Sequence, residues 1–356
     1  MKTPAVTYRA MQSPAPGQLE LVQRPAPQPG PGEVLLRVEA CGVCGADAAD
    51  IDNPSSQRPR VPGHEVVGRI AALGPGADVN WTVGQRVGVG RLGGHCNVCP
   101  SCRKGLFNLC SNQPVMGATW DGGYAEMMLA LATGLISIPE ELDSVHAAPI
   151  LCAGIATFNA LRKCGAQAGD LVAVLGIGGL GHMALQYARR MGLKVVAIGR
   201  GRDIAADALR LGAHVYIDTH EEDAAQRLHA MGGAQALIAT VTDTQAISEA
   251  MRGLAPQGRM MLLGVGRAPL EVAPGFLVGG ERVIAGSMTG TPWETEKALN
   301  FSVLAEALPM VETLALERAP DALLRLKSGD AKFRVVLTMD AARAAHQTQH
   351  PSTHTN

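Results

Sequence analysis

Three cysteine or histidine positions far apart in the chain share one kind of chemistry. They are Cys44, His64 within Gly63-His64-Glu65, and Cys152. Two thiolates and an imidazole make a soft tetrahedral set suited to Zn²⁺, and three protein ligands leave a fourth coordination position open, as a catalytic zinc requires. A second cluster, Cys96-x2-Cys99-x2-Cys102-x7-Cys110, places four thiols in one loop. A closed Cys₄ shell satisfies zinc completely and leaves no room for substrate, so its work is to fold a lobe with little apolar content of its own. The spacing by itself leaves open four free or disulfide-paired cysteines, and an iron–sulfur cluster.

A third stretch, Gly176-Ile177-Gly178-Gly179-Leu180-Gly181, follows a strand-like run and opens a helix-like one. In that context its glycines permit a tight turn and the close approach of a pyrophosphate to a helix N-terminus, where amide groups and the helix dipole favour negative charge. The alternative is a plain glycine-rich turn. At the end of the next strand a cofactor with a free ribose 2′-hydroxyl wants an acid. Gly199 stands there instead, followed by Arg200 and Arg202. Losing the acid removes repulsion of a 2′-phosphate and guanidinium groups can pair with it, which favours NADP(H) over NAD(H). The other reading of the two arginines is a solvated pair.

These sites need two kinds of scaffold. Residues 1–152 carry short Val-rich runs separated by Gly and Pro: strands at Glu33–Ala40, Glu65–Leu73 and Gln85–Val89, and a short helix after Cys41-Gly42-Val43-Cys44. That pattern predicts a compact antiparallel, barrel-like unit. From about residue 168 strands alternate with helices: Asp170–Leu175, the helix His182–Met191, Lys194–Ile198, the helix Ile204–Leu211, then strands at Ala236–Val241, Arg259–Leu263 and Val283–Ala285. Alternation of this kind predicts a doubly wound parallel sheet over 153–287. Residues 288–340 return to the first domain and end on a strand, Phe333–Thr338; the segment 341–356 reads as a disordered tail.

Composition narrows the function classes. The 356 residues are 47% hydrophobic and 18% charged, a globular balance. Net charge is −1 and aromatics are 3%, which argues against nucleic acid as partner. Met1-Lys2-Thr3-Pro4 lacks the apolar run of a signal peptide, and no uninterrupted apolar stretch of about 18 residues predicts a membrane span. Eight cysteines at clustered spacings in a long chain point to metal binding and a cytoplasmic location.

Taken together, Gly42-Val43-Cys44, Gly63-His64-Glu65, the four-cysteine loop, Leu151-Cys152-Ala153-Gly154 and the glycine loop, in that order, resemble the zinc-dependent medium-chain alcohol dehydrogenases over nearly the whole chain, closest to the cinnamyl-alcohol-type and bacterial aldehyde-reducing branch. The resemblance implies an α/β protein: a GroES-like, mostly-β catalytic domain with an inserted Rossmann domain, and the active site in the cleft between them. It implies two zinc ions per chain and a homodimer or homotetramer acting on a small-molecule substrate. It makes Cys44, not Cys41, the first ligand of the catalytic zinc, with His64 and Cys152 completing the set and Glu65 exchanging onto the metal transiently. Asp47 would accept a hydrogen bond from the His64 ring. Arg334 matches the position that contacts the cofactor phosphate; Val265 and Ser287 match segments bordering the nicotinamide; Trp120 matches a segment near the substrate pocket, with an ordinary core or interface Trp as the alternative. Cys41 and Cys164 read as small buried residues.

One departure bears on function. Relatives place Thr or Ser, and often His, at the positions of Ala46 and Ala49, and those groups relay the alcohol proton; a methyl group cannot. Gly45 also replaces a bulkier residue. The expected activity is interconversion of alcohols with aldehydes or ketones by hydride transfer. Reduction of imines or iminium ions on the same scaffold, and a non-catalytic dinucleotide sensor, are the alternatives.

Overall fold

Runs rich in Val, Leu and Ala, punctuated by glycine, form the strands, and they pair differently in the two parts of the chain. In chain order the strands are β1 (Thr7–Gln12), β2 (Glu20–Pro25), β3 (Glu33–Val43), β4 (Val66–Leu73), β5 (Arg86–Val89), β6 (Met127–Leu131), β7 (Leu135–Ser137) and β8 (Leu171–Leu175). There follow β9 (Lys194–Gly199), β10 (Val215–Asp218), β11 (Ala234–Ala239), β12 (Leu254–Leu262), β13 (Val283–Gly286), β14 (Val311–Ala315) and β15 (Arg334–Thr338). The computed structural model describes residues 7–56 and 58–339, so Met1–Val6, Gln57, Asp340 and the tail 341–356 lie outside the described residues.

The chain divides into two units. Of the described residues, the first contains 7–56, 58–152, 291–299 and 310–339; the second contains 153–290 and 300–309. The sequence reading draws one return at 288, whereas the chain changes unit after 152, 290, 299 and 309. What holds 300–309 in the second unit is aromatic. Phe301 lies 5.3 Å from Phe158 and 5.6 Å from Tyr187, centroid to centroid, and the Tyr187 and Ser302 hydroxyls are hydrogen-bonded at 2.6 Å.

In the first unit the sheet runs β14-β15-β3-β4-β5-β7, with β6 also on β3 and a separate β1–β2 hairpin. Every pair is antiparallel except β14–β15, which the helix Ala319–Ser328 connects as a parallel crossover. Leu36, Val66, Ile70, Val87, Val89, Val335 and Leu337 fill its core. Two of these strands, β3 and β4, bring metal-ligating side chains together. Their antiparallel register sets Cys41 opposite Val66, so the chain leaving β3 at Cys44 lies beside the chain entering β4 at His64-Glu65.

In the second unit all pairs are parallel, in the order β10-β9-β8-β11-β12-β13. The order reverses between β8 and β11, the topological switch point where nucleotides bind in such sheets. β10, at one edge, is four residues long and half-exposed in its first two, too short for sequence periodicity to reveal.

The helical stretch Ser144–Lys163 is 20 residues long and apolar enough to cross a membrane by length and composition, but 89% of its apolar window is covered by protein, as in a core helix. Its middle turn, Ile150–Gly154, is a π-turn carrying Cys152, a distortion often found where a helix supplies a functional group.

Phe301→Ala should loosen the second unit by about 3 kcal/mol. Hydrogen exchange should quicken in the helices Ile155–Lys163 and Gly181–Arg190 and stay unchanged across β3 and β4. Faster exchange in β3 and β4 would show that residues 300–309 support the other unit.

Candidate metal centre and dinucleotide site

Cys44, His64, Glu65 and Cys152 each present a ligand atom within 4.8 Å of every other. Cys44 is the N-cap of the helix Gly45–Asp52. Asp47, three residues on, is 1% exposed and accepts from the Cys44 amide at 2.9 Å and from the Tyr124 hydroxyl at 3.2 Å, while its other oxygen lies 2.6 Å from His64 Nδ1. A proton on Nδ1 is the tautomer this carboxylate selects, and it leaves the Nε2 lone pair facing the two sulfurs. Nε2 is buried with no hydrogen-bond partner. An orphaned imidazole nitrogen is costly in the dry interior unless something electron-poor meets it. The Cys44 and Cys152 sulfurs are 3.9 Å apart, and an edge of about 3.8 Å is what two thiolates at about 2.3 Å from one tetrahedral zinc make. The residues fit a zinc ion.

The electrostatics agree. The hydrogen bond from Cys152, helped by His64, holds the Cys44 thiol well below the usual range although burial opposes it; that bond and burial push Cys152 well above. Burial disfavours a charged His64, yet Asp47 and Cys44 outweigh it and raise the ring. Burial raises Glu65 to about 7 against the pull of Arg334. Cys152 and Glu65 are raised in part by the Cys44 charge beside them, so the acids of this set compete for ionisation in one dry place. Gly63, at φ +101°, makes the close packing possible: a Cβ there would collide with the Tyr124 ring.

Arg334, the first residue of β15, is 4% exposed and donates to Glu65. The structure therefore places this sequence-predicted cofactor contact on the carboxylate beside the metal set. The second Glu65 oxygen is buried without a partner.

In the cysteine lobe, Cys96, Cys99, Cys102 and Cys110 have sulfurs within 4.8 Å of one another, with close pairs at 3.6, 3.9 and 4.0 Å. These distances are too long for disulfides, and all four thiols are free. They are too short to admit the several atoms of an iron–sulfur cluster, and they suit one tetrahedral ion. The amides of Cys96, Cys99 and Asn112 each donate to a sulfur at 3.4 Å. The lobe's apolar cluster consists of the four cysteines and Phe107.

In the second unit the parallel sheet brings the ends of β8, β9, β11, β12 and β13 to one edge. Gly176–Gly181 joins β8 to the helix Gly181–Arg190; a Cβ on Gly181 would run into the Gly176 carbonyl oxygen, so the turn closes only around glycine. A cavity of about 1010 Å³ opens there, lined among others by Gly176, Gly199, Arg200, Glu221 and Thr240, and a dinucleotide's adenosine half fits such a space. Gly178, Gly179 and Leu180 lie within the turn. Val265 follows β12 and is 90% exposed; Ser287 follows β13 and is nearly buried. Arg202 is outside the cavity lining, its side chain 82% exposed and 3.4 Å from Glu221.

Trp120 packs against the core of the first unit. It lines a cavity of about 380 Å³ with Tyr8, Arg24, Arg60 and Met128, and no residue of the metal set is among the walls. Ala46 is half-buried and Ala49 exposed on the helix after Cys44. Sequence reasoning missed Tyr124, whose hydroxyl braces Asp47, and the pair Arg91–Asp50 at 2.8 Å. Neither has a local signal, since each partner lies 41 or more residues away.

Comparison with known proteins agrees with this geometry. Residues 30–140 match the alcohol dehydrogenase GroES-like domain, and residues 179–304 match the zinc-binding dehydrogenase model. The chain is 39% identical to alcohol dehydrogenase notN of an Aspergillus species over 96% of its own length and 100% of that protein. It is 34% identical to aldehyde reductase AdhA of Synechocystis, over 93% and 98%. A cinnamyl alcohol dehydrogenase of Sorghum bicolor superposes with a TM-score of 0.85 at 28% identity, covering 94% of this chain and 98% of its own. Motifs, metal set, parallel sheet and full-length relatives converge, and the chain belongs to the zinc-type medium-chain alcohol dehydrogenase family.

Proposed function

We propose that this protein is an NADP(H)-dependent alcohol dehydrogenase and aldehyde reductase that holds two zinc ions per chain, one catalytic and one structural. The observation that carries the reading is the buried, unpartnered Nε2 of His64 facing two thiols 3.9 Å apart. The similarity to notN and to AdhA supports the substrate class. When bound, the catalytic metal supplies Lewis-acid polarisation of a carbonyl oxygen and the nicotinamide supplies the hydride.

The protein's own groups do the rest. Asp47 keeps the His64 ring in one tautomer and Cys44 at its helix cap. Glu65 offers a fourth ligand, a carboxylate, while Arg334 balances its charge. The glycine turn accepts a pyrophosphate, and Arg200 in the cavity wall favours a 2′-phosphate. Five acids also line that cavity, and each has a partner: Asp223 and Asp243 each accept two amides at the start of a helix, while Glu221, Glu222 and Glu249 meet Arg202, Arg227 and Gln245.

A second reading rests on Ala46 and Ala49. Reduction of an aldehyde to an alcohol requires a proton at oxygen, and neither alanine supplies one. Hydride transfer to an iminium carbon gives a neutral amine directly, so that substrate class removes the requirement. Water that reaches the exposed end of the helix serves aldehydes.

Three measurements test these readings. Metal analysis should give about two zinc per chain; Cys44→Ala should retain about one with the fold intact and no turnover, and Cys110→Ser should lose the other along with thermal stability. Asp47→Asn should weaken zinc retention against a chelator by about 10- to 100-fold; unchanged retention means that Asp47 does not orient the ligand. In steady-state assays across aldehydes, ketones and imines with NADPH and NADH, NADPH should be preferred. Ala46→Thr should raise aldehyde turnover about tenfold, below the full worth of a proton donor, while leaving imine turnover as it was. A flat response in both rate and pH profile removes the imine reading's only support.

A further inference from the structure

β9 ends at Gly199, where a NAD site carries an acid for the ribose 2′-hydroxyl. In this chain the space for that acid is filled. A Cβ on Gly199 would lie 2.7 Å from the Tyr216 hydroxyl oxygen and 3.0 and 3.2 Å from two of its ring carbons. Tyr216 stands on β10, the parallel neighbour of β9, two residues before Asp218, which is in register with Gly199. The backbone there is tied down as well: the Gly199 carbonyl accepts from the Thr219 amide at 2.9 Å and its hydroxyl at 3.1 Å.

The same tyrosine reaches past Gly199. Its hydroxyl donates to the Gly201 carbonyl at 2.7 Å, and Asp218 Oδ1 accepts from the Gly201 amide at 2.8 Å and the His220 amide at 3.0 Å. Gly201, at φ +84°, is thereby held at both its N–H and its C=O, and the residues on either side of it are Arg200 and Arg202. Burial, with Asp218 and Asp203, pushes the Tyr216 phenol up to about 12, which keeps it a donor. The amides of His220 and Gly201 hold Asp218 below the usual carboxylate range, which keeps it an acceptor. The clamp is therefore insensitive to pH around neutrality.

We propose that Tyr216 is the positioning residue that sets the dinucleotide preference: its ring occupies the volume an acid at 199 needs, and its hydroxyl, with Asp218, holds the Arg200–Arg202 turn for a ribose 2′-phosphate. The proposal rests on the NADP(H) reading and adds a cause for it. Arg200 supplies charge, whereas Tyr216 both excludes the competing acid and removes the turn's freedom. A turn already ordered loses less entropy when phosphate arrives.

The test is calorimetric titration of the full-length protein with 2′,5′-ADP and with 5′-AMP, which requires no turnover. Wild type should bind 2′,5′-ADP more tightly. Tyr216→Phe keeps the ring and removes only the hydroxyl; it should weaken 2′,5′-ADP about fivefold, the worth of one neutral hydrogen bond, and leave 5′-AMP unchanged. Gly199→Asp alone should weaken 2′,5′-ADP without improving 5′-AMP, because Tyr216 blocks the new side chain. Gly199→Asp with Tyr216→Ala should bind 5′-AMP more tightly than either single variant does, a non-additivity expected of residues in contact. The proposal is overturned if Gly199→Asp alone improves 5′-AMP as much as the pair does, or if Tyr216→Phe weakens both nucleotides alike. Equal wild-type affinity for the two nucleotides sinks the NADP(H) reading, and the proposal with it; a wild-type preference with additive variants sinks Tyr216 alone.

Discussion

A buried carboxylate, that of Asp47, has an ordered task at each of its contacts. It meets the Cys44 amide, the Tyr124 hydroxyl and the His64 ring, and so ties a helix cap, a loop and the entry to β4 to one point. A carboxylate at 1% exposure needs hydrogen-bond partners, and this one has three. The consequence is directional: with Nδ1 engaged, Nε2 has one place to point, and both sulfurs are there. The open-sided metal set is the product of that constraint. The β3–β4 register puts Cys44 near His64, but register alone sets neither the ring's tautomer nor its angle.

Charge balance around this point extends outward in layers. Glu65 is buried beside the thiols and is offset by Arg334, which is buried in turn. Removing one partner of such a pair strands the other, so the residues form a unit rather than a sum of contacts. The cysteine lobe solves a different problem. Its own apolar cluster is little more than four sulfurs and one phenylalanine, and the four sulfurs converge where the sheet has a hydrophobic core.

The dinucleotide edge follows from strand direction. Because β8 to β13 run parallel, every loop that follows a strand emerges on one side, and residues as distant as Gly176, Arg200, Thr240 and Ser287 share that edge. The glycines of the first turn, Gly199 at the end of β9, and the Tyr216–Gly201–Asp218 clamp lie along it in succession. On the proposed reading, the choice between cofactors is made at a strand end, by side chains standing on the neighbouring strand.

Sequence alone carried a great deal here, because much of the information is local. Ligand spacing in Cys96–Cys110, the glycine turn between a strand and a helix, and the alternation from 168 onward depend on neighbours within a turn or two, and the structure has those elements where the residues put them. The identity of the metal-set residues was legible through the resemblance carried by their motifs. Other features were not: the switch of 300–309 into the second unit, Tyr124 behind Asp47, Arg334 on Glu65, Trp120 on a cavity apart from the metal set, and Tyr216 against Gly199. Each depends on a contact between residues that chain order does not relate, made by packing and by the need to satisfy buried polar groups. Residue type and spacing determined which chemistry this chain can perform; three-dimensional closure decided which side chains brace it, since a buried charge or hydroxyl takes whichever partner the fold delivers.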